Sequence, residues 1–117
     1  MQWTPEEVNT YLKIVRDDLA EGRITAKQLK MDEVIARCGT VACIGGWMKL
    51  RRREAEPQYT PSSMFAFTLH EITHTAPYGA LDELFYGFPQ GDVTPERAVR
   101  AIDQCLNGHA DPWELKA

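Results

Sequence analysis

Nowhere in the 117 residues do apolar positions run on for anything near the roughly 20 that a membrane-spanning helix needs. The start, "MQWTPEEVNT", has neither the positive region nor the apolar core of a secretory signal, so a cytoplasmic location is expected. Cysteine is scarce. Cys38, Cys43 and Cys105 are odd in number and too sparse for a disulfide scaffold, which suits a reducing compartment. Charge of one sign is not concentrated either: the formal net charge is -4 and the pI near 5.3, mildly repulsive to nucleic acid and to anionic membranes. No segment alternates with period two, which leaves little from which to build a sheet.

Apolar residues at 44% and charged residues at 26% describe a globular chain rather than a disordered one. A single domain spanning 1–117 is expected, since a chain this long buries about two-thirds of its unfolded surface around one core.

One kind of punctuation recurs. "TPEE" at 4–7, "TPSS" at 60–63, "TPER" at 94–97 and "DPWE" at 111–114 each set a capping oxygen before a proline. Thr or Asp accepts a bond from an unpaired helix N–H, and Pro at the first helical position has no N–H to leave unpaired. Four helix starts are thus predicted, with Glu7 and Glu114 placed to complete capping boxes in the first and last. The first helix is predicted over Pro5–Glu21, with Val8, Tyr11, Leu12, Val15 and Leu19 on one stripe and Gly22 as its stop. The Thr94 helix turns Ala98, Ile102, Cys105 and Leu106 inward and ends at "NG", 107–108. A short turn near Thr25–Leu29 and helices over about Thr40–Arg53, Pro61–Thr75 and Ala80–Tyr86 complete an all-α expectation: a compact helical bundle of about four to six helices with short loops. Trp3 and Trp113 are expected to anchor the two ends.

"CGTVACIGGW", 38–47, is the most distinctive stretch. Gly39 permits a tight turn and Thr40 is placed to cap the next helix, which sets Cys43 in the first turn, where dipole and free N–H groups favour a thiolate and open redox or nucleophilic use as an alternative; the expectation is a crowded helix crossing with Cys38 and Cys43 as small buried thiols. Gly45 and Gly46 cost about 1 kcal/mol each against Ala in a helix, a cost usually accepted where another backbone packs closely. Together with "LDELFYGFP" at 81–89 and "TPERAVRAIDQCL" at 94–106, this stretch resembles a group of small bacterial and phage proteins that share Cys-Gly-Thr-x-x-Cys-Ile-Ala-Gly-Trp, then Leu-Phe, then a helix begun by Thr-Pro. The resemblance covers about residues 30–106, with Gly45 where Ala is more usual. It brings no activity with it, and it implies that the segment matching 65–76 ordinarily lacks the pattern described next.

"HEITH", 70–74, has the His-Glu-x-x-His spacing of a zinc peptidase helix: His70 and His74 share one face and Glu71 could polarise a metal-bound water. The metzincin continuation fails, because Pro77 and Ala80 stand where its Gly and third His belong. Asp82, Glu83, Asp92, Cys105, His109 and Glu114 are all candidate third ligands, and spacing selects none. On the helical wheel Phe65, Leu69 and Ile72 form the inward row while Phe67, His70 and His74 face away, so the expectation is exposed histidines and no metal. A small zinc hydrolase is the alternative. A structural zinc site of Cys38, Cys43, His70 and His74 is a further one.

The run "KLRRRE", 49–54, is expected to be a solvated helix end whose cations complement the dipole. Lys49, Arg51, Arg52 and Arg53 could also meet phosphate, making nucleic acid another alternative partner. With no complete catalytic constellation, the expectation is a protein-interaction module that modulates a larger partner, with Phe67, His70, His74, Arg51, Arg52 and Arg53 as contact residues and no cofactor.

Overall fold

The computed structural model describes residues 3–31, 42–58, 72, 81–89 and 93–114. Four helices lie among them, α1 (Pro5–Ala20), α2 (Ile44–Ala55), α3 (Leu81–Tyr86) and α4 (Pro95–Leu106), and no strand, so the chain is all-helical as expected. A radius of gyration of 12.9 Å is that of a compact globule. Among the described residues no helix is long and apolar enough to cross a membrane.

α1 begins as its local chemistry dictates. The Thr4 hydroxyl accepts the Glu7 N–H at 3.2 Å, and Glu7 Oε1 accepts the Thr4 N–H at 2.9 Å. Val8, Tyr11, Leu12, Val15 and Leu19 are buried along one stripe, and Asp18 is buried among them. Gly22, at φ +81°, ends the helix in a conformation other residues rarely adopt. α4 repeats the plan: Thr94 caps through Arg97 N–H, Ala98, Ala101, Ile102 and Cys105 are buried, Leu106 packs partly buried against them, and Gly108 takes φ +84° beyond Asn107.

α2 starts at Ile44, not near Thr40. Ala42 is held in a parallel bridge to Leu29, donating to Gln28 O and accepting from Lys30 N–H, each at 3.0 Å. Backbone committed to a bridge cannot also be helical, so the cap passes to Cys43, whose sulfur accepts the Gly46 N–H at 3.4 Å. Gln28 O also takes the Trp47 indole N–H at 2.9 Å, which ties the 25–28 turn to the first turn of α2. The start expected at Asp111 is corrected as well. Residues 111–114 make a turn, closed by Glu114 N–H on Asp111 O, because Trp113 is drawn inward to donate to Glu83 O and Leu84 O of α3.

α1 packs against both α2 and α4, and α3 against α4. Arg16 on α1 clasps Asp103 on α4 through Nε at 3.0 Å and Nη2 at 3.2 Å. Trp3 and Trp113 are both buried. Of the helix expected over 61–75 only Ile72 is described; it is helical and fully buried, in keeping with its place on the inward row.

Candidate functional site at the charged end of α2

The solvated arginine end expected of α2 is corrected by burial. Lys49 is 0% exposed and Arg52 3%, while Arg53 is exposed. The cause lies on the facing helix. α1 carries Glu7, Tyr11 and Asp18 on or beside its apolar stripe, and each meets a partner near the end of α2.

Two ion clusters result. In the first, Arg52 Nη2 donates to Glu7 Oε2 at 2.8 Å, its Nε pairs with Glu56 Oε2 at 3.5 Å, and its guanidinium carbon stands 4.6 Å over the Trp3 ring. The Tyr11 hydroxyl donates to Glu56 Oε2 at 2.5 Å. Burial foremost, then this bond to a carboxylate, pushes the Tyr11 phenol up to about 12. In the second, Asp18 accepts Arg51 Nε–H and Arg23 Nε–H, both at 2.6 Å, and Arg51 lies 4.9 Å over the Trp47 ring while also pairing with Glu54. Burial alone would raise the Asp18 pKa, but the bonds from Arg51 and Arg23 outweigh it and hold the carboxyl below its usual range.

These are groups spent on holding helices together. A buried guanidinium already paired with two carboxylates offers no fork to a phosphate or to an acidic partner. Of the three arginines expected to form a contact surface, Arg52 is internal, Arg51 is largely covered, and Arg53 is exposed.

Cys43 is buried, as expected of a small thiol at this crossing, but it is the cap of α2 rather than a residue of its first turn. Burial pushes its thiol up to about 11 despite bonds from the Gly46 and Gly45 N–H groups and its own, which act the other way. The helix start does favour a thiolate, but removing sulfur from water costs more here. Cys105 lies in the core with a thiol raised to about 11 by burial.

Phe67, His70, Glu71, His74 and Cys38 lie outside the described residues, as does Asp92. Of the third-ligand candidates, Cys105 is wholly buried in the core, and Glu83, His109 and Glu114 are exposed. No group of three His, Cys, Asp or Glu able to hold a metal occurs among the described residues.

One residue escaped the sequence reading. Tyr86, the last residue of α3, is 54% exposed and is the exposed large apolar side chain among the described residues. The signal was present in "LDELFY": Leu81, Leu84 and Phe85 at i, i+3 and i+4 go inward, which leaves Tyr86 outward. Phe88 beside it is half-buried against the core. The chain matches no protein-family model, no curated protein and no solved structure.

Proposed function

We propose that this chain is a small cytoplasmic protein-interaction module, an accessory factor of bacterial or phage type that modulates a larger partner. The observation that supports it is Tyr86, an aromatic more than half exposed at the end of α3, whereas the other described large apolar side chains are buried or half-buried. Aromatic side chains with a polar tip are over-represented in protein interfaces because they bring large contact area at low entropy cost. Arg53 and the residues Phe67, His70 and His74 belong to the same reading as further contact candidates. The described thiols and most of the α2 arginines are engaged internally, which favours recognition over nucleophilic chemistry in this reading.

Affinity capture from bacterial and phage-infected lysates, with the chain and its Tyr86→Ala variant matched for thermal stability, tests it. A discrete partner whose recovery falls at least about tenfold in the variant is expected for a central interface aromatic. Recovery of no partner, together with peptide hydrolysis and one zinc per chain lost on His70→Ala, would overturn the reading in favour of a zinc hydrolase.

A further inference from the structure

Asn107 and Gly108 stand exposed at the end of α4, where a Schellman pair fixes the backbone: Gly108 N–H donates to Cys105 O and His109 N–H to Gln104 O, each at 3.0 Å. Asn107 holds ψ 5° and Gly108 φ +84°. The chain has two asparagines, and Asn107 is the one that precedes glycine. Asn9 lies within α1 and precedes the β-branched Thr10.

We propose that Asn107 is a site of spontaneous covalent modification, deamidating through a succinimide at a rate set by opening of the α4 C-cap.

The step balances with water alone. The Gly108 nitrogen gives up its proton to hydroxide and bonds to the side-chain carbonyl carbon of Asn107. The carbon–nitrogen bond of the carboxamide then breaks, and ammonia leaves with a proton from solvent. Water opens the ring at one of its two carbonyls, giving aspartate or isoaspartate. Glycine matters here because no Cβ crowds the attacking nitrogen.

The folded helix end withholds this nucleophile. Its N–H is held by Cys105 O, and at ψ 5° the nitrogen is turned away from the side chain it has to reach. Release of the Gly108 and His109 bonds removes both constraints at once, and helix ends are where such openings cost least. The same opening bares Gly108 N–H to hydrogen exchange, which also begins with loss of that proton to base, so the two reactions share one gate. Either product puts a carboxylate where helix carbonyls carry partial negative charge. Isoaspartate also adds one carbon to the main chain between α4 and the turn that seats Trp113 against α3.

Ageing of the full wild-type chain at pH 8, followed by peptide mapping that separates aspartate from isoaspartate, tests this beside residue-resolved hydrogen exchange. Both products should accumulate at Asn107 at least about tenfold faster than at Asn9, which sits inside a helix rather than at its frayed end. The native rate at Asn107 should fall below the rate in guanidinium by the protection factor of the Gly108 amide, to within about threefold. An intact Asn107 in a native chain whose Gly108 amide exchanges would overturn the proposal, as would aspartate formed without isoaspartate, which signals direct hydrolysis. Equal modification of Asn9, or a native rate unrelated to Gly108 protection, would overturn it too.

Discussion

The Asp18 carboxylate meets the Arg51 guanidinium at 2.6 Å across the seam between α1 and α2, from a position on the apolar stripe of α1. The second oxygen of Asp18 takes Arg23, so one acid on the core side satisfies two cations that come from sequence-distant segments. Asp18 thereby fixes α2 and the 22–24 turn against the same face of α1, and the stability of that face becomes dependent on its charge.

The pH dependence follows from the direction of its shift. The folded carboxyl titrates below the unfolded one, so its contribution is fully present above the ordinary aspartate range, near pH 4, and fades as pH falls through the lowered native value. Asp18→Asn should cost about 2 kcal/mol at pH 7, short of the figure for a wholly buried pair because Arg23 and Arg51 keep some access to water. Denaturant unfolding from pH 7 to pH 2 checks this: the gap between wild type and variant should close as the solution is acidified, and a gap independent of pH would mean that packing rather than charge is lost.

Both described thiols should be chemically silent in the native protein. With Cys43 and Cys105 raised to about 11 by burial, roughly one molecule in a thousand carries a thiolate at pH 8, and that thiolate has no open path to reagent. Alkylation by iodoacetamide followed by site-resolved mass spectrometry should find both labelled at least about 100-fold more slowly in the native protein than in guanidinium. Rapid native labelling of Cys43 would restore the activated-thiol reading of the helix start.

What could be read in the sequence was whatever a few neighbouring residues decide. Thr4, Pro5 and Glu7 specify the start of α1, as Thr94 and Pro95 do for α4, and Gly22 and Gly108 mark the ends, because caps and left-handed turns are made within one or two turns of chain. The start of α2 was misplaced because the Leu29 bridge that holds Ala42 extended is not local. The fate of Arg52 was misread for a related reason: its counter-charge, Glu7, stands 45 residues away, and nothing in "KLRRRE" distinguishes an arginine that will be buried from one that will be solvated. Trp113 overrode a well-formed "DPWE" signal through tertiary bonds to α3. Of the candidate contact residues, Tyr86 was legible in its spacing, whereas the exposure of Arg53 beside a buried Arg52 depends on the opposing helix.

Gly87 should tolerate substitution worse than the glycines that end α1 and α4, for a different reason. A Cβ there would lie 2.8 Å from Glu83 O and 3.3 Å from Glu83 Cα, as well as 2.5 Å from Glu83 Oε2. The carboxylate can swing aside, but the carbonyl cannot: it accepts Gly87 N–H at 2.9 Å and Trp113 Nε1–H at 3.1 Å. Gly87→Ala therefore has to displace the end of α3 from Trp113, a shape change of the kind that costs about 1–3 kcal/mol. Gly22→Ala and Gly108→Ala meet open space and carry only the penalty of a positive φ, about 1 kcal/mol. Denaturant unfolding of the three variants should rank Gly87→Ala as the least stable, accompanied by loss of Trp113 indole N–H protection that the other two retain. Equal stability across the three, with Trp113 still protected, would show that Glu83 moves without cost and that the closeness of Gly87 to α3 is not what holds Trp113 in place.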